Sequence, residues 1–264
     1  MTDFNQATTP GAAGPGKFNA QIPEGWEQGR GAFGGLAVGL MERAAEQLVA
    51  EPGWPLRALN AEIFAPVVVG GAEVVVETMR QGSGMSTLLV RLNQAGEVRA
   101  RATAIFGKAR VQDRELTTLT PPVMTPFEQL EPVPPNDLVP KFTQHMDYRP
   151  VDPLPFSGAQ LPGALGWVQF RQRPAKLSMH DVIGLIDAYW PATFAIEPMP
   201  RPMATVSFTF EPLVDPASLD AQAPFMYRCT VPASHHGFAV ELRELWTRDG
   251  RLVALNQQSF VTIK

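Results

Sequence analysis

The sequence predicts an internally duplicated α+β protein: one long helix followed by antiparallel strands, with this unit occurring twice. Three observations carry that reading. The chain has 264 residues, 45% of them hydrophobic and only 18% charged, which is the composition of a packed globular protein. Two stretches with apolar residues at helical spacing are each followed by alternating, β-rich runs. The ends of the two halves also superimpose without a gap, since Gly96 to Phe106 lies over Gly250 to Phe260 at a constant offset of 154, with Gly, Ala and Phe coinciding at three fixed places.

Each element has a local justification. Met1 to Gly16 is rich in Thr, Ala, Gly and Pro and reads as a disordered leader, followed by a short strand from Lys17 to Ile22. Gly34 to Ala50 has the helical stripe and is ended by Pro52-Gly53. Strands are expected at Leu56 to Ala65, Ala72 to Gln81, Thr87 to Asn93 and Glu97 to Gly107, forming an antiparallel meander. Lys108 to Pro140 is dense in proline and lacks periodicity, so it reads as a linker crossing the surface. The second half repeats the scheme. Phe142 to Tyr148 and Leu165 to Arg171 are expected as strands, Ser178 to Phe194 as a helix, and Met203 to Phe210, Phe225 to Val231, Gly237 to Trp246 and Arg251 to Ile263 as strands.

The domain scheme is therefore a leader (1–16), a first unit (17–107), a linker (108–140) and a second unit (141–264). A helix that buries its apolar stripe on one face of a meander, in two copies whose sheets join edge to edge, is a tandem (double) hotdog. Two further alignments extend the repeat: Phe64-Ala-Pro66 over Phe210-Glu-Pro212 at 146, and Gly39-Leu-Met-Glu42 over Gly184-Leu-Ile-Asp187 at 145.

Composition also excludes classes of function. A formal charge of -4 and no cluster of Lys or Arg along one element give no field for nucleic acid. No apolar run reaches the ~18 residues of a membrane span, and the N-terminus has neither a basic start nor an apolar core, so a soluble cytoplasmic protein is expected. The one cysteine, Cys229, lies in an apolar strand pattern and reads as a buried inert thiol. His235-His236 precede Gly237 at a hairpin turn without a third ligand at suitable spacing, so no metal and no other cofactor is expected. Gly29 to Gly34 fits G-x-G-x-x-G, but Pro23 to Gln28 before it is no buried strand, which rejects a dinucleotide site. A serine hydrolase is disfavoured because there is no G-x-S-x-G.

The chemistry is expected where the copies differ. Arg99 and Arg101 of the last strand of copy one must face water, which turns Val98, Ala100, Ala102, Ala104 and Phe106 toward the helix. At the offset of 154, Ala104 becomes Gln258 and Ala102 becomes Asn256, so copy two has amides where copy one has methyls. Asp187 lies between Ile183 and Trp190 on the margin of an apolar stripe, where a carboxylate requires hydrogen bonds. Ser178 and Asp181 have the spacing of a helix N-cap and read as structural. The offset of 146 places Thr205, Ser207 and Thr209 over the apolar Leu59, Ala61 and Ile63. A carboxylate, a hydroxyl and an amide can bind and deprotonate a water, or else form a buried network that fits the halves together. Gly34-Gly35 at the start of the first helix either allow close packing, which the residues by themselves favour, or expose N–H groups that polarise a carbonyl.

In this order, the marks Phe33-Gly-Gly35, Leu56 to Pro66 ending in Phe-x-Pro, Asp187, Ala204-Thr205 and Asp249 to Ala254 leading to Gln258 resemble the double-hotdog acyl-CoA thioesterases, of the acyl-CoA thioesterase II type and its wider superfamily. The similarity covers Phe33 to Gly107 and Ala164 to Ile263. It implies hydrolysis of an acyl-CoA by a water held by Asp187, Thr205 and Gln258, with Ser207 or Thr209 as substitutes for Thr205. Gly35 would polarise the carbonyl, Phe33, Gly34 and Asn256 would line the substrate, and the acyl chain would lie between helices and sheet. Leu36 stands where type II enzymes often have glutamine, and the strand after Thr205 is about two residues shorter than their pattern. A second reading rests on the same pocket, a non-catalytic acyl-thioester or lipid-binding module; a third, a hotdog hydratase acting on enoyl-CoA, needs an Asp/His pair and ranks last, because His180-Asp181 are adjacent and point in different directions on a helix. The duplication supplies within one chain the pairing of single hotdogs, and further homo-oligomerisation is expected.

Overall fold

A computed structural model describes residues 2–49, 53–111, 116–135 and 139–263. The expected helix end at Ala50 to Pro52 and the linker stretches 112–115 and 136–138 lie outside the described residues. The first half contains α1 (Phe4–Ala7), β1 (Gly11–Gly14), β2 (Lys17–Ile22), a small hairpin of β3 (Glu27–Gln28) and β4 (Gly31–Ala32), then α2 (Gly34–Leu48), β5 (Leu56–Ile63), β6 (Gly70–Gln81), β7 (Met85–Gln94) and β8 (Glu97–Gly107). The second half contains β9 (Met146–Val151), β10 (Gly163–Phe170), α3 (Met179–Asp187), β11 (Met203–Pro212), β12 (Phe225–His235), β13 (Phe238–Trp246) and β14 (Leu252–Thr262).

All long strands form one antiparallel sheet in the order β1-β2-β6-β7-β8-β5-β11-β14-β13-β12-β10-β9, which reads the same from either end once the halves are exchanged. The halves meet at β5 and β11, where Leu59 faces Phe210 and Ala61 faces Phe208. The α+β double hotdog with sheets joined edge to edge is thus the observed architecture. The expected first meander is corrected in one respect, because β5 pairs with β8 and not with β6. Its exit is anchored by Arg99, whose carbonyl oxygen accepts from the N–H groups of Phe64 and Ala65, and Pro66 in the connection has no N–H for a hairpin ladder.

The helices pack against the sheet, α2 on β5 to β8 and α3 on β10, β13 and β14. Every second residue of β8 (Ala100, Ala102, Ala104, Phe106) is buried there as expected, whereas Val98 at the strand start is exposed. α2 and α3 run antiparallel in direct contact: the Cα of Gly39 faces His180, and that of Gly35 faces Asp187. The start of one helix therefore meets the end of the other.

Three expectations are corrected. The leader is folded: Phe4 is buried against Trp26 and Phe170, with ring centroids 5.3 and 5.0 Å away, and β1 pairs with β2. Phe4 and Ala7 share one face of α1, and a single aromatic anchor outweighs the Thr/Ala/Gly/Pro composition around it. The strand expected at Phe142 begins only at Met146, because Lys141–His145 forms a 3-10 turn whose Phe142 ring stacks on Phe33 at 4.1 Å. The second helix ends at Asp187, not Phe194. Pro191 is the cause, since its ring clashes with the carbonyl four residues back and it disfavours the helical conformation of Trp190. The described part of the linker packs on the second half, where Met124, Phe127 and Leu130 cover Trp167, Met226, Trp246 and Leu252.

Candidate active site

The break at Pro191 releases the last carbonyls of α3, and buried side chains take them up: Tyr148 donates to Ala188 O at 2.8 Å and Arg243 Nη1 to Asp187 O at 3.4 Å. Asp187 is the final residue of α3, where its own helix dipole disfavours a carboxylate. The N-terminus of α2 offsets this. The Gly35 N–H lies against the Asp187 carboxylate and lowers its pKa, and a Cβ on Gly34 would come within 2.9 Å of Asp187 Oδ2. Only glycines allow this approach. The Gly34-Gly35 pair thus brings backbone donors to the carboxylate, beyond easing the packing of helix on sheet.

Asp187 Oδ1 is held by two donors, Gln258 Nε2 at 2.6 Å and Arg243 Nη1 at 2.8 Å. Gln258 Oε1 accepts from Thr205 Oγ1 at 3.0 Å, and its second N–H donates to Asn256 Oδ1 at 2.9 Å. Asp187, Thr205, Gln258 and Gly35, expected from the sequence as one group, are brought together. Burial raises the pKa of Asp187; the Arg243 charge, the Gln258 hydrogen bond and the Gly35 N–H counter it, and Glu241 adds to the rise.

Thr205 reaches this site because of a β-bulge. The ladder between β11 and β14 pairs Thr205 with Phe260 and then Ser207 with Ser259, which leaves Val206 unpaired. The extra residue puts Thr205 on the same face as Phe208 and Phe210. Copy one has the same bulge at Arg57, between Leu56 opposite Phe106 and Ala58 opposite Ile105. The two bulges superimpose at an offset of 149, which corrects the 146 inferred from the Phe-x-Pro ends. Thr205 is the counterpart of Leu56, and Ser207 and Thr209 face away from the site, Thr209 Oγ1 accepting from Gln257 N.

Two further residues expected at the substrate have different places. The Phe33 ring is fully buried, stacked on Phe142 and lying where a Gly35 Cβ would stand. Asn256 accepts from Gln258 and donates to Thr209 O, so it braces Gln258 from behind.

Sequence reasoning missed Arg243 and Glu241. They lie on β13 at alternate positions with Ala239 and Leu245, all buried and facing inward. Glu241 Oε2 accepts from Arg243 Nε at 2.9 Å and Nη2 at 2.7 Å, and Oε1 accepts from Ala192 N at 2.6 Å. Glu241-Leu-Arg243 does put two opposite charges on one strand face between Ala239 and Leu245, but alternation along the strand does not tell which face turns inward. Their ladder partners Gln258 and Asn256 correspond to Ala104 and Ala102, whose partners on β7 are Leu88 and Val90. Five polar residues of copy two thus replace Leu56, Leu88, Val90, Ala102 and Ala104.

The twin position in copy one is different in kind. Glu42 corresponds to Asp187 and is buried, yet neither of its carboxylate oxygens has a hydrogen-bond partner among the described residues, and burial pushes its pKa well above the carboxylate range. The helix start that would face it is closed by a capping box in which Asp181 Oδ2 accepts from Ser178 N at 2.8 Å, as the spacing predicted. His180 stands where Gly35 stands in the other copy, and burial lowers its pKa to about 3.

Residues 22–107 match the family description of the acyl-CoA thioesterase N-terminal domain, and residues 121–262 that of the acyl-CoA thioesterase C-terminal domain. The chain belongs to the acyl-CoA thioesterase family. Solved structures agree on the fold of this family member. It is similar to a conserved hot dog protein of unknown function from Alicyclobacillus acidocaldarius (24% identity, TM-score 0.90, covering 99% of this chain and 98% of that one). It is also similar to the tesB protein of Mycobacterium avium subs. paratuberculosis (15%, 0.82, 99% and 98%) and to an acyl-CoA thioesterase II from Mycobacterium marinum (17%, 0.75, 98% and 96%). At these identities the likeness establishes the fold alone. A search of curated protein sequences gives no match. No helix among the described residues is long and apolar enough to cross a membrane.

Proposed function

We propose that the protein hydrolyses an acyl-CoA thioester to the free acid and CoA, with Asp187 as general base. The observation that carries this is the asymmetric clamp on Asp187: Oδ1 is fixed by Gln258 and Arg243, while Oδ2 faces the glycines that open α2. An acyl carbonyl entering at those glycines replaces the Asp187 carboxylate as the acceptor of the Gly35 N–H, and a water beside it meets Oδ2. Asp187 removes a proton as the water oxygen bonds to the carbonyl carbon, and the carbonyl electrons move to an oxyanion at Gly35. Collapse of that intermediate breaks the C–S bond, and the thiolate takes the proton back from Asp187. Thr205 Oγ, which donates to Gln258, keeps lone pairs for the water, and Gln258 Oε1 has one lone pair left for the same purpose. Family membership supports the same chemistry.

The test is release of free CoA thiol from acyl-CoAs of graded chain length, where turnover of at least one is expected. One observation favours a second reading, a binding module without turnover: both Gln258 N–H groups are already occupied, by Asp187 and Asn256. Saturable acyl-CoA binding with no thiol release from any member of the series would establish that reading and remove hydrolysis.

A further inference from the structure

Resting on the reading of Asp187 as base, we infer that Arg243 is a positioning residue shared between two carboxylates, and that Glu241, by holding part of its guanidinium, sets how readily Asp187 gives and takes a proton. The geometry is unequal. Glu241 accepts two of the guanidinium donors at 2.9 and 2.7 Å and is itself fixed by Ala192 N, while the Asp187 carboxylate receives one at 2.8 Å. Arg243 and Glu241 are almost fully buried. One positive charge therefore serves two acids away from water, and the pair keeps one unit of negative charge when both acids are ionised. A base that must both accept and return a proton in one turnover needs this intermediate state, because full pairing with Arg243 would leave it too weak. The single contact to Oδ1 also fixes which oxygen turns toward the glycines.

The other titratable groups around the cluster do not change charge in the relevant range. Tyr148 of β9, Tyr189 after α3 and Tyr227 of β12 are buried, which pushes each well above the usual phenol range, and Cys229 of β12 is pushed well above the usual thiol range. α2 presents Gly34 and Gly35 to Asp187, and the charges that act on its carboxylate are those of Arg243 and Glu241.

The experiment compares the full-length wild type with Arg243→Gln and Glu241→Gln. The readouts are the pH dependence of kcat/KM on the acyl-CoA turned over fastest, and the 13C carboxyl titration of Asp187, assigned by its loss in Asp187→Asn. Removal of the positive charge moves the acid limb and the Asp187 midpoint up by about 1 to 3 pH units. Removal of the Glu241 charge moves both down by up to a similar amount. KM changes little in either variant, whereas kcat falls. Midpoints that stay in place, or move in the same direction in both folded variants, overturn the inference. If Arg243→Gln does not fold, Glu241→Gln alone decides it by the sign of its shift. If Asp187→Asn is fully active, the base reading fails. If no acyl-CoA is turned over, the hydrolysis reading fails and the 13C titration still decides whether Arg243 and Glu241 control Asp187.

Discussion

Replacing Gly34 by alanine sets two effects of opposite sign against each other. Within a helix, alanine is favoured over glycine by about 0.5 to 1 kcal/mol, so the substitution would stabilise α2 if space allowed. Space does not allow it. The added Cβ stands 2.9 Å from Asp187 Oδ2, and the carboxylate cannot retreat freely because Oδ1 is bound at 2.6 Å by Gln258 and at 2.8 Å by Arg243. Overpacking of this kind costs about 1 to 3 kcal/mol, which exceeds the helix gain, so Gly34→Ala lowers stability by up to about 2 kcal/mol net. The effect on rate is larger, because a displacement of about 1 Å at a reacting group can cost about 100-fold. Urea unfolding and kcat/KM for acyl-CoA hydrolysis measure the two quantities. In the Asp187→Ala background the obstructing oxygen is gone, so Gly34→Ala becomes neutral or stabilising, and the double-mutant cycle has a coupling of about 1 to 3 kcal/mol. Equal destabilisation in both backgrounds, or wild-type activity in Gly34→Ala, would refute the proposed contact. Gly71→Ala, where no atom lies within 4 Å of the new Cβ, is the neutral control.

Three other outcomes are expected. Phe4→Ala destabilises the protein by about 3 to 5 kcal/mol in denaturant unfolding, as a buried aromatic anchor should and a disordered leader would not. Thr205→Val lowers kcat about 10- to 100-fold with the fold intact, whereas deletion of Val206, the unpaired residue of the bulge, leaves Thr205 opposite Phe260 on the inward face and lowers kcat less than Thr205→Val does. His180 binds a proton in the unfolded chain below its ordinary value of 6.5 but in the folded chain only below about 3, so it makes stability fall as pH drops through that window, by up to about 5 kcal/mol. Asp181, raised to about 6, acts in the opposite sense between 6 and 3.8, and His180→Leu should therefore leave a protein that loses less stability on acidification, measured by thermal unfolding from pH 7 to 4.

The architecture was legible because the repeat is written in residues that must pack: Ala100, Ala104 and Phe106 face the helix in one copy, and their counterparts at 154 do so in the other. Asp187 and Gln258 were legible as polar residues at positions the pattern reserves for apolar ones. Register was not. A bulge at Val206 and its twin at Arg57 add one unpaired residue each, which alternation read along the chain does not reveal, and so Ser207 and Thr209 looked equivalent to Thr205. Glu241 and Arg243 went unread for a related reason. Their meaning depends on which face of β13 turns inward, and only the ladder partners Gln258 and Asn256 settle that. The folded N-terminus depended on one ring, Phe4, finding Trp26 and Phe170 across the chain.

The central claim is one composite site built on Asp187, in a fold whose symmetry also supplies a buried carboxyl at Glu42. Acyl-CoA hydrolysis by Asp187→Asn and Glu42→Gln, measured as thiol release at saturating substrate with both variants checked for folding, tests it most directly. Loss of general-base catalysis predicts that Asp187→Asn falls about 100- to 10,000-fold, while Glu42→Gln keeps the wild-type rate. Full activity in Asp187→Asn, or a comparable loss in a folded Glu42→Gln, would contradict it.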